Sequence, residues 1–204
     1  MANWTMEPAA WVLRSSTAGF SAGATVNQLE APSFGMLLKA EPRTDGRETV
    51  YGLLYDIHID DDPLVRQLIL ANAVTEEAIR DQRHHRIVPV EMSVLAVGYR
   101  TYENRIRYAL PPKPPLSLDP VFACDANEVY QLTESFEYFR LVLGTPTVPG
   151  EQLLAATLLI AASVLPEDEQ YDFLVRAGQE AARLLSGDLP RLDSLLRLMH
   201  PQVE

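Results

Sequence analysis

Two spacings of apolar residues divide the chain. Up to Leu110 they recur mostly every second position, which suits a strand with one buried face; beyond Asp125 they recur every third or fourth, which suits a helix. In the first regime Trp11–Ser15 reads as a strand, with Trp11 and Leu13 on one side and Val12 and Arg14 on the other. Thr17–Thr25 is a small-residue stretch whose Gly19 and Gly23 suit turns or bulges. Phe34–Leu38 and Tyr51–Tyr55 are two copies of one pattern, an aromatic, a glycine and then apolar residues. Glycine inside a strand marks a bulge or a sharp bend, so the repetition predicts a curved sheet closing into a small barrel. Between the copies Asp45-Gly46 is a hairpin signal and predicts antiparallel pairing.

In the second copy the period of two places Tyr51, Leu53, Tyr55, Ile57 and Ile59 on a core face, with Gly52, Leu54, Asp56 and His58 opposite. Asp62 then caps a short helix, Pro63–Ala71, and a second helix starts at Thr75 and ends near His84 and His85. Strand character returns over Val88–Arg100 and Arg105–Leu110, and Pro111–Pro115 is a stiff extended exit.

Asp125 with Glu128 has the spacing of a capping box, followed by Val129, Leu132, Phe136, Phe139 and Leu143 along one helix that stops at Gly144. Gln152–Leu165 is apolar almost all round, which predicts a central helix. Glu167–Leu185 carries Phe173, Leu174, Ala177, Ala181 and Leu184 inward, and Asp188 caps a last helix with Leu192, Leu195, Leu196 and Met199. The expected fold class is therefore α+β: an N-terminal small antiparallel β-barrel with a helical insertion, then a C-terminal antiparallel α-helical bundle. The expected domains are residues 1–120 and 121–204.

Charge changes this picture by what it disfavours. The net charge is −11, and the acidity leans to the part after Asp125, which holds 5 basic and 12 acidic residues. Such a surface is a poor match for a phosphate backbone, so direct nucleic-acid binding is not expected. A single cysteine, Cys124, provides no disulfide framework and suits a reducing compartment. The start lacks the pattern of a signal peptide, and the longest apolar run, Leu153–Leu165, is well short of the about 20 residues that span a bilayer. A cytoplasmic location is the expectation.

Motifs of catalysis are sparse. The chain contains no GxxxxGK[ST] loop, no Gly-x-Ser-x-Gly elbow and no dinucleotide fingerprint. Asp56, His58 and the run Asp60, Asp61 and Asp62 are the nearest thing to a metal or acid/base cluster. They read more simply as a polar strand face running into a helix cap, so no metal, cofactor or catalytic residue is expected.

The strands, once placed, resemble the HAS-barrel, the small N-terminal barrel shared by HerA-type DNA translocases and rotary ATP synthase subunits. The resemblance rests on Phe34–Ala40, Tyr51–Ile59, the Asp62-Pro63-Leu64-Val65-Arg66 segment, Pro89–Gly98 and Pro111–Ala123. In the HerA-type proteins this barrel precedes a hexameric ATPase core and serves assembly and docking of a NurA-type nuclease. Here helices follow the barrel where that core and its P-loop would stand. The resemblance thus implies a non-enzymatic adaptor in DNA processing whose barrel docks on a HerA-like ATPase or its NurA-type nuclease. The residues expected at the partner surface are Asp60, Asp61, Asp62, Arg66, Arg83, His84 and His85. Two other readings stand beside it: a metal-dependent hydrolase centred on Asp56, His58 and Asp60–Asp62, and a self-assembling ring.

Overall fold

Every interior residue of the barrel is explained by alternation once the bulges are placed. The structure, a computed structural model, describes residues 7–25, 32–43, 47–59, 70–71, 75 and 89–200. Its strands are β1 (Ala10–Ser16), β2 (Gly19–Thr25), β3 (Leu37–Ala40), β4 (Thr49–Ile59), β5 (Pro89–Arg100), β6 (Ile106–Arg107) and β7 (Pro120–Ala123). They run in the order β2-β1-β7-β3-β4-β5, and β2 pairs again with β5, closing a six-stranded antiparallel barrel; the two-residue β6 flanks β5. Closure leaves no long free edge among these six strands. Val12, Phe20, Ala22, Leu38, Val50, Leu54, Met92, Val94 and Val121 fill the inside as one buried cluster.

Two strands here depart from the sequence pattern. The small-residue stretch after Thr17 is not only turn: Gly19–Thr25 is β2, and it pairs with both β1 and β5. β7 (Pro120–Ala123) bridges β1 and β3 and completes the ring. Conversely the first aromatic-glycine copy is not all strand, since β3 begins at Leu37 and Gly35 lies before it at a φ of 86°.

The single core face expected for Tyr51, Leu53, Tyr55, Ile57 and Ile59 is also corrected. Both faces of β4 are buried in its first half: Val50 and Leu54 point into the barrel, Tyr51 and Leu53 out against helices. A register shift between Leu54 and Asp56 then inserts one extra residue, Tyr55. A bulge of this kind swaps the faces downstream. Ile57 therefore packs with the barrel interior rather than with Tyr51, and Ile59 is exposed.

Five helices follow: α1 (Ala126–Thr133), α2 (Phe139–Leu143), α3 (Gly150–Ser163), α4 (Glu167–Leu184) and α5 (Leu189–Met199). The capping box is present as read, Asp125 accepting from the Glu128 amide at 2.8 Å and the Asp125 amide donating to Glu128 Oε2 at 3.1 Å. The single helix expected up to Leu143 is broken in two. The buried Thr133 hydroxyl donates back to the Val129 carbonyl at 2.7 Å, and Phe136 packs against Phe139 and Phe173 in the break. α3 is the hub, touching every other helix and β4. Tyr51, Leu53, Leu95 and Val97 on the barrel's outer wall share one apolar cluster with Leu132, Phe139, Leu154, Leu158, Phe173 and Leu195. Among the described residues no helix is long and apolar enough to cross a membrane.

This shared cluster buries groups that dislike charge. Burial raises the Tyr51 and Tyr138 phenols and the fully buried Cys124 thiol above their ordinary values, and pushes Tyr108 up to about 12. In the unfolded chain the thiol ionises near 9.0 and the phenols near 10.0, so above those values the unfolded state has lost protons that the fold retains. Stability then falls as pH rises. Chemical-denaturation midpoints taken from neutral pH upward are expected to hold level and then drop beyond about pH 9. A level curve through pH 10.5 would contradict this burial.

Candidate functional site

Alternation fixes what the outer wall displays. On β2, Phe20 and Ala22 face the interior, so Ser21 faces out; on β5, Met92 and Val94 face in, so Ser93 faces out. The register sets Ser21 opposite both Arg14 and Ser93, and Ser93 opposite Asp56. Arg14, Ser21, Ser93 and Asp56 therefore make one row across four strands, with side chains roughly 5 Å apart at their roots. In the neighbouring row Gly23, Glu91 and His58 stand opposite one another. Extra residues mark both ends of the Arg14 row: a register shift between Val12 and Arg14 on β1, and the Tyr55 bulge on β4.

An open groove of about 360 Å³ lies over part of this row. It is lined by Arg14, Ser15, Ser21, Ser93 and Leu95 from the barrel wall and by Thr145, Thr147 and Val148 from the loop between α2 and α3. Hydroxyls dominate its polar lining. Ser15 Oγ donates to the Pro115 carbonyl at 2.6 Å, and Thr145 Oγ1 to the Leu141 carbonyl at 2.6 Å. Ser21 differs: its Oγ is buried and has no hydrogen-bond partner among the described residues. The Arg14 guanidinium pairs with the Glu91 carboxylate while remaining largely exposed.

An unmade hydrogen bond at a buried hydroxyl costs about 1–3 kcal/mol. Ser21→Ala removes that cost and little packing, so it is expected to leave stability unchanged or raise it by up to about 1 kcal/mol. Thermal unfolding of the variant measures this, and a clear loss of stability would mean that Ser21 is bonded in solution.

Beside the groove a turn presents apolar side chains. Asp119 is buried and its carboxylate accepts from the Leu116 amide at 2.7 Å and the Arg43 amide at 3.2 Å. The Leu118 amide donates to the Val12 carbonyl at 2.8 Å and Ser117 Oγ to the Leu13 carbonyl at 3.1 Å. These bonds hold Leu118 at a φ of 68°, a left-handed conformation that costs a leucine about 1–2 kcal/mol. Its side chain is nevertheless 65 % exposed, and Leu116, Leu13 and Trp11 are exposed nearby on the same turn and on β1.

No family model and no curated protein matches this chain.

Of the residues singled out from sequence, Asp56 and His58 are exposed on the outer wall, His58 directly opposite Glu91. Among the described residues no three His, Cys, Asp or Glu side chains are grouped to hold a metal ion. Asp60, Asp61, Asp62, Arg66, Arg83, His84 and His85 lie outside the described residues, as does most of the expected helical insertion. Arg14, Ser21, Ser93 and Leu118 were not singled out. The signal for the first three is the register across strands far apart in sequence, which no single segment contains.

Proposed function

We propose that this chain is a non-catalytic adaptor, docking through its β-barrel on a HerA-like ring ATPase or a NurA-type nuclease partner in DNA processing. In this reading the acidic C-terminal helices act as an antiparallel bundle that supplies a second contact, in the cytoplasm. The observation that supports it is the Leu116–Asp119 turn, where a buried carboxylate and backbone bonds hold a strained leucine out in solvent. Strain of this kind persists only where the surroundings enforce it, and it concentrates at sites that engage something else. Exposed Trp11, Leu13 and Leu116 extend the same surface. The closed barrel agrees with the fold that the HAS-barrel resemblance implies.

Leu118→Gly separates docking from folding. Glycine accepts the left-handed conformation freely, so the variant is expected to fold at least as well as the parent. Loss of a contact at the centre of an interface weakens binding about tenfold or more. The measurement is co-elution on size exclusion with a HerA-like ATPase or NurA-type nuclease from the same cells. Charge reversal at Asp60–Asp62 is the companion variant, expected to weaken binding while the barrel stays folded. If native co-purification recovers no such subunit and mixing gives no shift, the adaptor reading is wrong.

A further inference from the structure

We infer that the groove between the barrel wall and the α2–α3 loop is a binding site for the oxyanion group of a small ligand, a phosphate monoester with an apolar body. Four observations carry this, and none depends on the adaptor reading. The first is charge: the chain has 28 Asp and Glu against 17 Lys and Arg, yet among the described residues no carboxylate lines the groove and Arg14 is its one ionic lining group. The second is proximity, because Arg14, Ser21 and Ser93 occupy one cross-strand row and all three line the groove. Planar guanidinium with adjacent hydroxyl donors is the chemistry that holds phosphoryl oxygens.

The third observation is the Ser21 hydroxyl. Ser21 lines the groove at 6 % exposure, and its buried Oγ has no hydrogen-bond partner among the described residues. Native structures satisfy such groups, and a ligand oxygen in the groove would do so. The fourth is size and lining: about 360 Å³ falls within the range of small-molecule sites, and Leu95, Val148 and Tyr55 offer apolar walls for a carbon body. Glu91 is no obstacle. Its pair with Arg14 is at the surface, where such pairs are weak and readily exchanged.

Phenyl phosphate is the probe, with inorganic phosphate, benzoate and benzylamine as comparators, each titrated into the full chain. Backbone amide shifts and the melting temperature are read together. Phenyl phosphate is expected to shift the amides of Ser21, Ser93 and Thr147 and to raise the melting temperature. Its Kd is expected to weaken tenfold or more in Arg14→Gln and in Ser21→Ala, with Ser93→Ala as an independent variant. Inorganic phosphate binding at the same amides but more weakly supports the apolar body, and equal binding overturns that part. Benzoate binding as tightly as phenyl phosphate keeps the oxyanion site and overturns the phosphate assignment. No response to any anion, a response unchanged in the variants, or tighter binding of benzylamine overturns the inference and leaves a groove that holds solvent only.

Discussion

Gly35→Ala is expected to destabilise the protein by about 2–5 kcal/mol, the sum of a left-handed backbone that alanine resists and an overpacked contact. Gly35 sits at a φ of 86°, and a Cβ there would lie 2.5 Å from Ala156 Cβ and 2.9 Å from both the Ala156 carbonyl carbon and the Thr157 nitrogen. Those atoms belong to α3, so relief means moving the hub helix away from the barrel. The same residue is bonded on both sides. Its amide donates to the Leu54 carbonyl at 2.8 Å, and its carbonyl accepts from the buried Thr157 hydroxyl at 2.8 Å. Thr157→Val, which leaves that carbonyl short of a partner, is expected to cost less, about 1–3 kcal/mol. Denaturant unfolding of both variants checks the order. A Gly35→Ala protein within about 1 kcal/mol of the parent would mean that α3 does not press on this turn.

Glu128→Ala is expected to cost about 2–5 kcal/mol, the sum of a lost cap and a lost charge-assisted hydrogen bond, since it leaves Lys39 with Glu41 alone and takes a carboxylate from beside Arg100. Glu128 is buried at the start of α1, where it completes the capping box. Its Oε1 accepts from Lys39 Nζ at 2.9 Å, lies 3.9 Å from the Arg100 guanidinium and 3.4 Å from the Tyr51 hydroxyl. Burial pulls the Lys39 ammonium down, but its bonds to Glu41 and Glu128 outweigh this and leave it above its ordinary value of 10.5. That contribution is complete below 10.5 and is lost as pH rises through the folded value. It therefore adds to the alkaline loss set by Tyr51 and Cys124. Glu128→Gln keeps the shape and a capping oxygen without the charge, and should fall between parent and alanine variant. A double-mutant cycle with Lys39→Met isolates the pair. If Glu128→Ala and Glu128→Gln both unfold with the parent, the network is an exposed ion pair in solution and contributes little.

How much of this could be read from the chain differs by element. Local chemistry was legible: the Asp125–Glu128 capping box and the Asp188 cap are both made, and Phe173, Ala177 and Ala181 are buried along α4. The aromatic-glycine repeat pointed correctly to a curved sheet, although its two copies do different things. Gly52 sits beside a register shift within β4, while Gly35 is a turn outside β3. What failed was any inference that needed the frame of a strand carried past a bulge. Tyr55 looks like any other aromatic in an alternating run, and only its pairing with β5 reveals that it is the extra residue. β2 was hidden for another reason, since Gly, Ser, Ala and Thr have weak strand signals and are held there by partners on both sides. The groove inherits that difficulty, being assembled from β1, β2, β5 and a helix loop.

The pairing of β7 with both β1 and β3 also places a condition on synthesis. Ala10 meets Val121, and Ala40 meets Val121 from the other side, so the ring stays open until about 110 further residues have followed β1 from the ribosome. At about 5–20 residues per second that interval is roughly 5–20 s, during which the facing edges of β1 and β3 have no partner strand between them. A nascent chain stalled before Pro120 would therefore offer both edges to chaperones.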